Sequence, residues 1–108
     1  LSGEDATTLA FMVYGGNGSI SVTSNIAPKL SAEFMNFCLE KKYQEASIVN
    51  DKLMKLHTSL FLEPSPGPVK YAAEKLGLMS GELRLPLVKV SKSTKDRVDE
   101  ALKYASLI

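Results

Sequence analysis

The sequence predicts an α-rich fold with one lone β-strand, in the order α, β, α and then three further helices interrupted by an extended strap. Three observations carry this reading. Apolar residues recur at three- and four-residue spacing in successive segments, the mark of helices that bury one face. Residues 19–23 alternate instead, with Ile20 and Val22 on one side and Ser19, Ser21 and Thr23 on the other, which is strand periodicity. Gly and Pro separate the segments cleanly.

In chain order, Asp5 reads as the N-cap of a first helix that runs to Tyr14, with Leu9, Met12 and Val13 inward. Gly15 and Gly16 supply the positive φ angles that end it. After the strand, Pro28 suits the first turn of a helix, where its missing N–H costs nothing. Leu30, Phe34, Phe37 and Cys38 form the inner stripe of that helix, and the polar stretch Glu40-Lys41-Lys42 breaks it. Residues 43–62 carry Ala46, Val49, Leu53, Leu56 and Leu60 as one continuous seam. The turn Glu63-Pro64-Ser65-Pro66-Gly67-Pro68 forbids continuation. Pro68 opens a short helix whose core face is Val69, Ala72, Ala73 and Leu76, stopped by Gly77. Residues 83–88 form the strap, and Pro86 keeps it from being a central strand. Ser93 caps the last helix, with Asp96 in its first turn and Val98, Ala101, Leu102 and Ala105 inward.

At 108 residues the chain is one domain or a piece of one. It is far below the roughly 250 residues of a complete (β/α)8 barrel. Thirteen basic against twelve acidic residues leave a net charge of +1, so no basic field marks it for nucleic acid. A single cysteine forms no internal disulfide and no metal-binding cluster. No apolar run approaches the roughly 20 residues that span a bilayer, and Leu1-Ser2-Gly3-Glu4-Asp5 lacks the features of a signal peptide. One strand cannot satisfy its own backbone groups, so residues 19–23 are expected to pair with polypeptide outside this chain.

The residues alone nominate little chemistry. Gly15-Gly16-Asn17-Gly18 follows a helix and precedes a strand, the reverse of a phosphate loop, and reads as a helix stop. Cys38 and His57 lie on different helices with no third group to orient the imidazole. Cys38 reads as a core filler and His57 as a surface or boundary residue. Glu4 and Asp5 sit where carboxylates serve a helix start. Among eleven lysines only Lys70, between Val69 and Tyr71, is a candidate for a desolvated amine, and its amphipathic helix favours a solvated face.

Four strings then occur in order: Leu1-Ser2-Gly3-Glu4-Asp5-Ala6, Gly18-Ser19-Ile20-Ser21-Val22-Thr23-Ser24-Asn25, Glu63-Pro64-Ser65-Pro66-Gly67-Pro68-Val69-Lys70 and Leu83-Arg84-Leu85-Pro86-Leu87. Together, over the whole chain, they resemble the C-terminal portion of the dihydrodipicolinate synthase family, the 4-hydroxy-tetrahydrodipicolinate synthases. The resemblance implies an α/β fold, the C-terminal part of a (β/α)8 TIM barrel followed by a three-helix domain. Residues 1–41 would be the end of strand seven, helix seven, strand eight and helix eight; residues 42–108 would be the helical domain. The lone strand would then lie between the first and seventh strands, with the missing N-terminal barrel portion as its partner.

The resemblance further implies a Schiff-base lyase of the cytoplasm, or of a plastid, that condenses pyruvate with L-aspartate semialdehyde in lysine and diaminopimelate biosynthesis. It implies no metal and no organic cofactor and a homotetramer when complete; the charge balance and the short apolar runs lead to the expectation of no nucleic-acid and no membrane partner. The family's Schiff-base lysine, proton-relay tyrosine, assisting threonine and carboxylate-binding arginine all lie upstream, so no catalytic residue is expected in this chain, which would be inactive alone. Two pyruvate-site positions carry over: Ile20, which lines the pocket and offers a backbone carbonyl, and Gly3 at its mouth. Tyr14 aligns with a position at the weaker dimer–dimer contact. Ser24, Ser65 and Gly67 depart from the residues usual in the family. The competing readings are a related pyruvate aldolase, such as a sialic acid or sugar-acid lyase, and a non-catalytic helical interaction module.

Overall fold

A computed structural model describes all of residues 1–108. A 3-10 turn, Asp5–Thr7, leads into α1 (Thr8–Val13); a second 3-10 turn, Thr23–Asn25, precedes α2 (Pro28–Leu39). Then come α3 (Tyr43–Ser59), α4 (Gly67–Lys75) and α5 (Lys92–Tyr104).

The central helix is α3, which packs against α1, α2 and α5, while α4 packs against α5. Its predicted seam is the core: Ala46, Val49, Leu53, Leu56 and Leu60 are all buried. Phe34 and Cys38 meet it from α2, and Val98, Ala101 and Leu102 from α5, within one continuous apolar cluster. Of the inner residues predicted for α4, Val69, Ala72 and Ala73 belong to the same cluster, while Leu76, at the helix cap, is partly buried and packs against it. Burying a Leu or Val side chain gains about 1.5–3 kcal/mol, so this seam is what holds the helices together.

Four helices end in the same way. The residue beyond the cap turns left-handed, and two reversed hydrogen bonds satisfy the last carbonyls. Gly15 (φ 99°) ends α1 and Gly77 (φ 74°) ends α4; Lys41 (φ 59°) and Ser106 (φ 60°) do the same for α2 and α5. At α2, for example, Lys42 N–H donates to Phe37 O at 2.8 Å and Lys41 N–H to Cys38 O at 3.0 Å. Gly16 is not left-handed, contrary to the sequence expectation. It is needed for close approach, because a Cβ there would sit 2.2 Å from the Phe11 ring.

Other expectations are corrected in detail. The first helix begins as a 3-10 turn, and Asp5 does not cap it. Val13 is half exposed rather than inward. The long helix stops at Ser59, short of 62. The cap of α5 is Ser91, whose hydroxyl accepts Thr94 N–H at 3.3 Å. With the start two residues earlier, Asp96 falls outside the first turn and pairs with Lys92 at 3.2 Å. The strap around Pro86 has no regular pairing, and Leu85 and Val88 stand exposed on it.

The predicted strand is the largest correction. Residues 19–23 are not a continuous strand; a single parallel bridge joins Ser2 and Ser19. Ser2 N–H donates to Gly18 O and Ile20 N–H to Ser2 O, both at 2.9 Å. The pairing expected only from outside therefore has one partner within the chain. Alternation survives through Ser21, with Ile20 turned outward and 72% exposed. It ends at Val22, which is already helical in φ and ψ.

Candidate functional site

The bridge brings the two predicted pyruvate-site positions side by side. Gly3 directly follows Ser2, whose carbonyl holds Ile20 N–H. Gly3 is exposed and borders a cleft of about 440 Å³ together with Glu4, Asp5, His57 and Phe61. The Ile20 carbonyl accepts no hydrogen bond from the chain, and its side chain projects on the open side of the bridge. Ser19 and Ser21 face the other way, into a cleft of about 390 Å³ against α2.

Ile20 is fixed by what lies beyond it. The Asp5 carboxylate, buried at 7% exposure, accepts Val22 N–H at 2.9 Å and Thr23 N–H at 3.1 Å through the same oxygen. These two captured donors are the reason the extended run stops. Ser21 Oγ accepts Ser24 N–H at 2.9 Å, and the Ser24 hydroxyl returns to Ser21 O at 3.0 Å. Thr23 is fully buried; its hydroxyl shares a 2.8 Å hydrogen bond with Nδ1 of His57 on α3. On the other strand end, Thr8 donates to Glu4 O at 2.7 Å, and its oxygen lies 2.9 Å from Ser2 Oγ.

The Asp5–Thr23–His57 cluster was not legible as a site in the sequence. Asp5 read as a cap and His57 as a boundary residue, yet His57 is 5% exposed. The signal that could have found it is positional. Asp5 lies three residues past Ser2 and Thr23 four past Ser19, just beyond the two bridged residues.

Burial pushes the His57 pKa below its ordinary value, and the nearby Asp5 charge opposes this only in part. The ring is therefore neutral at pH 7. Below about pH 6.5 the unfolded chain binds a proton that the folded chain resists, so stability falls as pH drops through that range. The apparent melting temperature is expected to decline more steeply from about pH 7 to about pH 5 than in His57→Asn, which lacks the imidazole. Parallel melting curves for the two proteins would contradict this role.

The remaining candidates stay apart. Cys38 is buried in the α2 core stripe, where desolvation raises its pKa, and no hydrogen bond links it to His57. Lys70 is half-buried and donates its ammonium to the Glu82 carbonyl, a structural tie between α4 and the residue that precedes the strap. Glu4 is exposed and accepts from the Thr7 hydroxyl at 3.0 Å. No helix is long and apolar enough to cross a membrane.

The chain as a whole is similar to known proteins. The 4-hydroxy-tetrahydrodipicolinate synthase of Afipia carboxidovorans is 50% identical over all 108 residues, which cover 36% of that protein. The solved dihydrodipicolinate synthase of Thermotoga maritima superposes with a TM-score of 0.95 at 38% identity, over 99% of this chain and 36% of the other. That of Acinetobacter baumannii, crystallised with pyruvate, superposes at 0.94 with 40% identity, over 99% of this chain and 37% of the other. The chain thus spans little more than a third of the length of the relatives it matches. The sequence model described as the dihydrodipicolinate synthetase family matches residues 1–105, and the chain belongs to that family.

Proposed function

We propose that this chain is the C-terminal part of a pyruvate-dependent Schiff-base lyase that condenses pyruvate with L-aspartate semialdehyde, in the biosynthesis of diaminopimelate and lysine. The observation that carries the reading is the parallel Ser2–Ser19 bridge in a chain that matches this family over residues 1–105. A parallel pair with an open second edge is what two adjacent strand ends of a closed barrel look like when the strand on the far side comes from elsewhere. On this reading residues 1–41 close the barrel, residues 42–108 form the helical domain, and the complete cytoplasmic enzyme is a homotetramer.

The reactive amine then lies upstream. A lysine there condenses with the ketone of pyruvate, releasing water. The iminium formed acidifies the neighbouring methyl group, and loss of a proton gives an enamine that attacks the aldehyde carbon of the second substrate. This chain contributes no group to those bond changes. Its part is to present the Ile20 carbonyl and side chain, with Gly3 beside them, at the wall of the pyruvate pocket.

The test joins this chain behind the remaining N-terminal part of the Afipia carboxidovorans relative. Pyruvate with borohydride should add one reduced adduct to the joined protein, on a lysine outside residues 1–108, and none to this chain alone. The joined protein should turn over aspartate semialdehyde in preference to longer sugar acids. An adduct on a lysine of this chain, or a folded joined protein that forms none, would overturn the proposal. Preference for a sugar acid would move the chain to a related aldolase.

A further inference from the structure

We propose that His57 is a positioning residue for the pyruvate pocket: through its hydrogen bond to Thr23 it ties α3 to the turn that sets the direction of the Ile20 carbonyl. This rests on the pyruvate-site reading of Ile20 given above.

The geometry confines the relevant backbone to a short span. Ile20 N–H is fixed on one side by Ser2 O at 2.9 Å. Two residues later Val22 N–H is fixed by Asp5 at 2.9 Å. The carbonyl of Ile20 belongs to the peptide between these pinned donors, so its direction follows from where the Val22–Thr23 end is held. That end is held at Thr23, which is fully buried and bound from three directions. Its N–H donates to Asp5 at 3.1 Å, its carbonyl accepts Ile26 N–H at 3.1 Å and Ala27 N–H at 2.9 Å, and its hydroxyl meets His57 Nδ1 at 2.8 Å.

Apart from the hydroxyl's, these ties come from Asp5, at the same end of the chain as the bridge, or from the residues just before α2. Only His57 reaches Thr23 from α3, the helix around which the C-terminal core is built. The imidazole is therefore the single hydrogen-bonded contact from that core to the turn after Ile20. A neutral ring suits the task, since it can meet a hydroxyl without bringing a charge into a buried place. The consequence is a physical route by which residues of the helical domain affect substrate affinity without touching substrate.

A set of variants in the joined enzyme separates positioning from mere stability. Thr23→Val keeps the shape of the side chain and removes its hydroxyl, leaving Nδ1 of His57 unpaired. It should lower the melting temperature and raise the half-saturating pyruvate concentration about tenfold, the size of one lost hydrogen bond, with kcat changed much less. His57→Asn places an amide where Nδ1 was, and Thr23→Ser retains the hydroxyl; each should recover most of the pyruvate affinity.

The decisive variant is the double replacement Thr23→Val with His57→Leu. With both polar partners gone, neither side chain of the pair leaves a buried group unpaired, and the His57 Nε2 that has no partner in the parent is removed as well, so stability should largely return. The tie is still missing, so pyruvate half-saturation should stay about tenfold high. If affinity returns together with stability, His57 is structural only and the inference is overturned. If the parent joined protein traps no pyruvate at all, the pocket reading itself fails and takes this inference with it, a result distinct from an active parent with unaffected variants.

Discussion

Replacing Leu56 with Ala is expected to destabilise the helical segment by about 3 kcal/mol, within the range found for Leu-to-Ala changes in well-packed cores. Leu56 has no exposed surface and lies on α3 between flanking helices from both sides of the chain. Removing three carbons there loses their transfer energy and leaves a cavity that α2 and α5 cannot both close, since each is held by its own contacts. In the joined enzyme the apparent melting temperature should fall by roughly 5–10 °C. Lys52→Ala, on the exposed side of the same helix, should change it by no more than about 1 °C, because Ala suits a helix and no packing is lost. Equal shifts for the two variants would mean that α3 is not the centre of this core.

That contrast could be written from the sequence, because a helix announces its buried face through local spacing. The seam from Ala46 to Leu60 and the inner face of α5 are both found where the periodicity places them. So are the stops at Gly15 and Gly77, where a left-handed residue is needed. The helix starts were less legible. Ser91 and Ser93 are both able to cap, and their hydroxyls lie 3.1 Å apart, so composition alone does not choose between them. Lys41 and Ser106 take left-handed conformations without being glycine, and nothing local marks them.

The candidate site is reached through motif strings and not through chemistry. Ile20 and Gly3 were reached by resemblance, while the cluster that fixes Ile20 is assembled from residues far apart in sequence. Asp5 meets Val22 and Thr23 across 17 and 18 positions, and His57 meets Thr23 across 34. A carboxylate near a helix start and a histidine beside an apolar seam each have an ordinary local explanation. Only the fold shows that both serve the same turn. The lone strand differs from expectation for a related reason. Its partner is a bridge of one residue at Ser2, too short to leave a periodic signal.

Asp5→Ala is expected to have the second large effect, and its size follows from counting donors. Two backbone N–H groups lose their shared carboxylate acceptor, one at buried Thr23 and one at partly buried Val22. A charge-assisted bond of this kind contributes about 1.5–3 kcal/mol, and a donor left unpaired in a buried place costs about 1–3 kcal/mol. Allowing for water reaching Val22, the sum is about 2–4 kcal/mol. Pyruvate affinity should fall with it, since the turn after Ile20 loses the acceptor that ends its extended run. Asp5→Asn separates the parts: its amide oxygen can accept both N–H groups, so stability at pH 7 and pyruvate affinity should largely return. What Asn does not restore is the negative charge that partly supports protonation of His57. Without it the folded protein resists that proton more strongly, so the total stability lost on acidification should grow rather than shrink. The midpoint of the His57 ring titration, followed by NMR in the folded protein, should lie at lower pH in Asp5→Asn than in the parent; an unchanged midpoint would mean that Asp5 acts on this turn through its hydrogen bonds alone.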